Sequence, residues 1–577
     1  MIIAILTWLI MLIIFGAIGI AINSVFERKR LGIKGTWHSV IWYGIVFSTV
    51  YAQIFSLFYK VGQAAFLILL AFIAVLYILF WKQYAEICIR FWDLIREQKL
   101  KAFMGLVGIL VIVAVGTVFA IRQVDHYDTY LYHAQNIRWI EEYGIVKGLG
   151  NFHNRFAYNS AFMCLQTLFS FSWIARYSLH TLNGFLWVFM MIYNLGTLKV
   201  YQVKQFLLSD LFKLVMVLYL LRREVLMYLS SPHTDMMALL LVGYIIIRWI
   251  ELTEEGEKSN LPYGTLCILG VFAVSVKLSA ILILFLVMKP AIGLLKEKRW
   301  KTIFAFILTG FVVILPFLIR NILISGYLVY PYASIDFFNV DWKMPASTVA
   351  FDNHEIVAWG RMLNDVRRYE EPISVWLPIW LEKSSRLECS LMLINLCLIP
   401  ISILCIAIYL KKKKYDKALL LGQLSLLFIG WLMTAPLPRY GFIYMMLLIV
   451  YYVGAIGKWA SAYLPKPTII IGYLALPLII IGIFRSTVKT INIQIEDCVL
   501  YPTDYREEEV KSVEWGEIRV FSPATGDLGN YYQFPELPYA RRLEIIELRG
   551  DDISSGFRMK DQYKDREIST DGYLLDG

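Results

Sequence analysis

Charge is scarce in this sequence. Asp, Glu, Lys and Arg make up only 17% of its 577 residues, while 58% are hydrophobic. That balance excludes an ordinary soluble protein of this length, which would carry far more charge. Paired cysteines are also missing. The seven cysteines, Cys88, Cys164, Cys267, Cys389, Cys397, Cys405 and Cys498, form no CxxC, and several lie inside apolar runs. Neither a zinc site nor a disulfide framework is indicated. The apolar segment 1–23 lacks a leading basic region and a small-residue cleavage site, so it reads as a retained transmembrane helix and not a signal peptide. The net charge of +10 comes from short Lys/Arg clusters between apolar stretches. No recognition motif accompanies them, which excludes nucleic acid as a partner and leaves the positive-inside pattern as the explanation.

Long hydrophobic runs are what the chain has in abundance. Candidate spans lie at 2–22, 39–58, 63–81, 102–121, 180–198, 207–221, 232–250, 264–276, 278–293, 302–324, 391–410, 417–434, 440–456 and 467–485. The expected fold is therefore an all-α polytopic membrane protein with about 14 transmembrane helices. The clusters "ERKRLGIK" (27–34), "KEKRWK" (296–301) and "KKKKYDK" (411–417), with the connection 82–101, are predicted to be cytoplasmic. The loops 122–175 and 325–390, the turn "APLPRYG" and the carboxyl-terminal tail then share the other side. The expected organisation is a transmembrane domain over 1–485 and a small extracytoplasmic domain over 486–577. Strand-like runs "EIRVFS" (517–522) and "LEIIELRG" (543–550), separated by "PATGDLGN", make that tail β-rich.

Polar residues concentrate on the predicted outer side. "VDHYDTYLYHAQNIRWIEEYG" (124–144) carries Asp125, His126, Asp128 and His133 beside a span. A surface helix over 128–142 would put Asp128, Tyr132, Gln135 and Trp139 on one face. "GLGNFHNRFAYNS" adds His153 and Arg155, and "LRREVLMYLSSPHTD" adds Arg222, Arg223, Glu224, His233 and Asp235. Lys277 lies in apolar "AVSVKLSAIL", where it needs a partner or a cavity. Arg320 and Arg439 fall at outer helix ends, where each could equally snorkel. Together these carboxylates and cations suit an anionic lipid head group plus a hydroxyl nucleophile.

These islands resemble the GT-C superfamily, polytopic glycosyltransferases that use polyprenyl-phosphate-linked sugars. The likeness rests on "DHYD" in a large outer loop, the second acidic site in "SSPHTD", the "VKLSA" span and the turn "PRYG". The chain is more similar still to a poorly characterised bacterial membrane-protein group, through "LYHAQNIRWIEEYGIVKGLGNFHNRFAYNS", "RNILISGYLVYP", "DWKMP" and "TAPLPRYG". It departs from the superfamily pattern in placing the acidic loop after the fourth predicted span and not the first.

The resemblance implies transfer of a sugar from a polyprenyl-phosphate donor to a glycan, lipid or protein acceptor at the extracytoplasmic face of a bacterial cell membrane. Asp125 or Asp128 would be the general base, and Lys277 and Arg439 would hold phosphate. His133, His153, Arg155, Arg222, Asp235 and Arg320 would bind substrate. No cofactor is demanded, and a divalent ion, magnesium or manganese, bridging carboxylate and phosphate stays open. A surface-polysaccharide polymerase is the alternative enzyme, kept by Arg361, Arg367 and Arg368. A lipid-linked sugar transporter is the non-enzymatic alternative.

Overall fold

Uninterrupted Ile, Leu, Phe and Val have no polar side chains with which to satisfy the backbone, and in hydrocarbon a lone segment meets that demand only as a helix. In the computed structural model, which describes residues 1–28, 35–175, 177–199, 207–460, 481, 482, 485 and 499–575, the apolar runs are helical. Nine helices among the described residues are long and apolar enough to cross a membrane. They are Ile2–Phe26, Trp37–Ser56, Lys99–Ala120, Asp235–Glu254, Leu278–Lys296, Trp300–Ser325, Arg386–Lys411, Tyr415–Met433 and Pro438–Trp459. A tenth results if Gln63–Leu79 and Trp81–Glu97, bent by 79° at their junction, form one span.

The remaining expected spans are shorter. Leu182–Gly196 has 15 residues, Leu208–Leu220 has 13 and Asn260–Val276 has 17. At 1.5 Å per residue these reach only about 20–26 Å, less than a typical hydrocarbon core. Segment 467–485 lies almost wholly outside the described residues.

The first two helices pack closely: a Cβ on Gly44 would stand 2.0 Å from the carbonyl oxygen of Phe15. Small residues permit such backbone approach, a familiar device where lipid supplies no hydrophobic drive.

The loop expected on the outer side departs from the surface helix predicted over 128–142. Thr129–His133 is a π-turn and Ala134–Tyr143 an α-helix, and most of the latter is buried. The extra residue per turn shifts the face that the regular spacing predicts. Gln135 donates to the carbonyls of Asn530 (2.6 Å) and Gln533 (2.8 Å). Trp139 packs against Phe152, Phe534 and Phe557. The tail, and not lipid, covers these side chains.

That tail holds two antiparallel hairpins, β1 (Val510–Trp515) with β2 (Ile518–Pro523), and β3 (Ile546–Leu548) with β4 (Phe557–Met559). Residues 543–545, expected as strand, belong to a short helix. The hairpins share one apolar cluster with residues of both outer loops, including Trp139, Phe152, Tyr327 and Met344. Arg542, fully buried, donates to the carbonyl of Asn151 at 2.9 Å.

Candidate functional site

Four separated segments deliver the central charges. Asp128 precedes the π-turn, and Asp235 opens its helix, where a carboxylate meets the positive end of the helix dipole. Lys277 sits in extended backbone between the helix Asn260–Val276 and a 3-10 stretch, Leu278–Val287. The break frees its side chain to reach sideways. Arg439 follows Pro438 at the start of a helix that kinks at Gly441.

These charges interlock. Arg439 Nη2 donates to Asp128 Oδ2 at 2.7 Å and to the Tyr440 hydroxyl at 2.9 Å. Its Nε, buried and without a hydrogen-bond partner among the described residues, faces Asp235 Oδ2 at 3.9 Å. Lys277 Nζ bonds to Asp235 Oδ1 and lies 3.8 Å from the centre of the Tyr440 ring. Burial pushes the Asp128 carboxyl up, but Arg439, foremost among neighbours that include Arg155 and the imidazoles of His126 and His133, acts together with them to bring the group below its ordinary value. Asp128 is therefore ionised and occupied.

Beside this network is a cavity of about 150 Å³, lined among others by His126, Arg222, Tyr228, His233, Asp235 and Arg439. His126 stacks on His233, ring centres 5.0 Å apart, and lies 5.8 Å from His133. Burial pulls all three imidazoles down to about 3, so they stay neutral at physiological pH. Among the described residues, neither ring nitrogen of His126 has a hydrogen-bond partner. Arg222 covers the Phe442 ring at 3.4 Å and pairs with Glu224 (3.2 Å) and Glu388 (3.8 Å).

Tyr219 lines this cavity and also a smaller apolar pocket of about 20 Å³, with Phe212, Val215, Ile247, Met446 and Val450 among its walls. Both lie between the helices Leu208–Leu220, Asp235–Glu254 and Pro438–Ala460. From Phe442 in the polar cavity to Val450 in the apolar one is about 12 Å along the helix. A charged cavity and a small apolar pocket thus lie between the same helices, with Tyr219 in the wall of both.

Of the residues singled out from sequence, Asp128, Asp235, Lys277, Arg439 and Arg222 come together, with His133 behind His126. Asp125 is exposed, on the loop just before them. His153 is fully buried against Phe156 and Tyr539. Arg155 pairs with Glu355 at 3.5 Å, between the loop and the helix Ala346–Gly360. Arg320 is buried on the Ser56 hydroxyl, the Gly144 carbonyl and Asn159, a structural tie apart from the charge network.

Tyr219, Tyr228, Glu388 and Phe442 were not legible as site residues. Only proximity of helices distant in sequence brings them in, and Glu388 on its own reads as half of a capping box with Ser385. Among the described residues, no group of three or more His, Cys, Asp or Glu side chains is arranged to hold a metal ion.

No curated protein and no solved structure matches the chain. A family model described as a domain of unknown function, DUF8201, matches residues 1–446, a stretch that contains Asp128, Asp235, Lys277 and Arg439. The chain belongs to that DUF8201 family.

Proposed function

We propose that the protein is an integral-membrane glycosyltransferase that moves a sugar from a polyprenyl-phosphate donor to an extracytoplasmic glycan, lipid or protein acceptor. The observation that carries this reading is the charged cavity with a small apolar pocket beside it between the same three helices, Tyr219 lining both. An amphipathic lipid phosphate has that form: an anion needing Arg439 and Arg222, and a chain needing apolar walls. In this reading the short helices complete about fourteen crossings of a bacterial cell membrane, and the cavity opens extracytoplasmically, as the Lys/Arg distribution argues.

The chemistry follows from the network. The donor phosphate competes with Asp128 for the Arg439 guanidinium. Asp128, released from its ion pair, takes the proton of the acceptor hydroxyl as that oxygen bonds to the anomeric carbon. The bond from anomeric carbon to phosphate oxygen breaks, and the electron pair leaves with a phosphate already stabilised by Arg439 and Lys277. No general acid is required. Of the three arginines behind the polymerase alternative, Arg361 donates to the carbonyls of Tyr369, Glu371 and Met433, and Arg368 pairs with Glu371 at 3.2 Å.

Mass spectrometry of surface glycans and lipid-linked sugars in a deletion strain is the test. Loss of one glycan substituent with accumulation of its lipid-linked precursor is expected, restored by the wild-type gene and not by Asp128→Asn. Removing a general base costs on the order of 100- to 10,000-fold in rate. Unaltered glycans and lipid-linked sugars in the deletion strain would refute the proposal.

A further inference from the structure

The helix Trp81–Glu97 belongs to no part of the site, yet its sequence divides with unusual sharpness. At 100° per residue, Lys82, Glu86, Arg90, Asp93 and Glu97 fall on one side, spaced three or four apart. Trp81, Cys88, Trp92 and Ile95 fall on the opposite side, flanked by Ile87 and Ile89. The fold leaves most of that apolar side uncovered: Trp81 is 56% exposed and Trp92 67%, and Cys88 on the same side is exposed. Among the described side chains, one edge is packed, where the Tyr84 hydroxyl donates to the Ala17 carbonyl and Tyr84 stacks on Tyr77.

The neighbours say what covers the rest. Gln63–Leu79 enters the helix through a 79° bend, and Lys99–Ala120, long and apolar enough to cross a membrane, leaves it after a single linking residue. Seventeen residues of Gln63–Leu79 make about 26 Å of helix, so the bend comes close to where a bilayer ends. A helix turned nearly perpendicular at that level lies along the surface. Its contact residues on Ala17 and Ala21 lie toward the end of the first helix that precedes the basic cluster of 27–34, the predicted cytoplasmic end.

We infer that Trp81–Glu97 is an in-plane membrane-surface helix, its Trp81–Cys88–Trp92 side seated at the head-group and acyl boundary of the cytoplasmic leaflet. The partner is the lipid surface itself. Tryptophan favours that boundary, with an apolar ring and a polar N–H. The seat is apolar and not electrostatic, because Lys82, Arg90 and Arg96 are balanced by Glu86, Asp93 and Glu97. Its anchoring fixes the inner end of Lys99–Ala120, whose outer end feeds the loop bearing Asp128. The inference rests on the membrane reading of the chain and not on the glycosyltransferase reading, so the two fail separately.

Cys88, exposed at the middle of the apolar side, provides the probe position. The full chain with the other six cysteines replaced by serine carries a polarity-sensitive fluorophore on Cys88, in phosphatidylcholine nanodiscs. Nitroxides placed near the head group are expected to quench it most, nitroxides at mid-chain less and aqueous iodide little. Adding anionic lipid should change this by less than twofold.

Strongest quenching at mid-chain would make the bent pair a broken span and overturn the inference. Quenching by iodide alone would place the helix in water, and no quenching at all would mean protein or a second copy covers it. Either overturns it too. A second measurement uses the unaltered protein: a phospholipid with a photoreactive group near the glycerol should label Trp81, Ile89 or Trp92. Adducts confined to Glu86, Arg90 and Asp93, or absent from 81–97, would count against it independently of the labelled variant.

Discussion

Asp128 and Arg439 each serve as the other's partner, and the balance between them sets what either can do. Held by the guanidinium at 2.7 Å, Asp128 stays ionised to low pH but is a weak base until Arg439 turns elsewhere. Arg439→Lys keeps the charge and loses the planar fork, so under the proposed function a phosphate grip through two oxygens would be lost. A hydrogen bond to a charged group is worth about 1.5–3 kcal/mol, which predicts a fall in transfer of about tenfold or more with insertion and expression intact. An arginine that only snorkels would tolerate lysine at full activity. Arg439→Gln makes a sharper prediction. Burial remains while the cation goes, so the carboxyl rises, and the acid limb of the rate profile should move to higher pH. No inflection near pH 6.5 should appear in either protein, because the neighbouring imidazoles do not charge there. A pH–rate profile of purified protein checks both statements. Both residues were legible in the sequence, since a charge beside an apolar run stands out. Their mutual contact was not, because 311 residues separate them.

The helix Asp235–Glu254 shows what a single element reveals and what it conceals. Its first residue belongs to the site, while near its last turn lies a second knot of charge, about 24 Å along the axis. There Lys213, fully buried, pairs with Glu251 at 2.6 Å and Asp210 at 3.6 Å and donates to the Thr197 carbonyl at 2.7 Å. Arg248 adds pairs to Glu251 (2.9 Å) and Glu255 (3.5 Å). The knot ties this helix to Leu208–Leu220, the same two helices that line the cavity and the apolar pocket. Removing one member leaves buried charge without compensation, at a cost of about 3–5 kcal/mol. Lys213→Met should lower the thermal midpoint in detergent clearly, whereas Lys199→Met, on the exposed pair with Glu255, should change it little. Equal midpoints would reduce the knot to ordinary surface pairing. Lys277 was conspicuous in sequence because apolar residues flank it on both sides. Lys213 was not, since "SDLFKLVMV" reads as a helix beginning at an interface, and its main partner arrives 38 residues later.

At the scale of the whole molecule, the tail and the outer loops are built as one body. Local alternation in the sequence suffices to expect strands near 517–522. It says nothing of what they rest on, which depends on contacts such as Gln135 to Asn530, 395 residues apart. That interface buries carboxyl groups. Glu141 accepts from Ser170 (2.6 Å) and from the Tyr531 hydroxyl of the tail, and burial raises it. Burial also pushes Asp352 up to about 6 and Glu536 up to about 8. Glu536 Oε2 accepts the Asn530 N–H at 2.6 Å, while buried Oε1 has no hydrogen-bond partner among the described residues. The sign is fixed by linkage: a carboxyl raised in the folded state binds its proton there while the undocked chain has already released it. Stability from Glu536 is therefore intact below the ordinary carboxylate range, falls as pH rises from there to about 8, and is level above that. The tail should grip the outer loops more tightly at pH 5 than at pH 8. Limited proteolysis across that range, scored by release of fragments from 499–575, measures it. Glu536→Gln imitates the protonated side chain and keeps an oxygen for the Asn530 amide. It should protect the tail at pH 8 and match the wild type near pH 5. If the variant and the wild type were cut equally at every pH, Glu536 would not be the group that couples tail docking to protons.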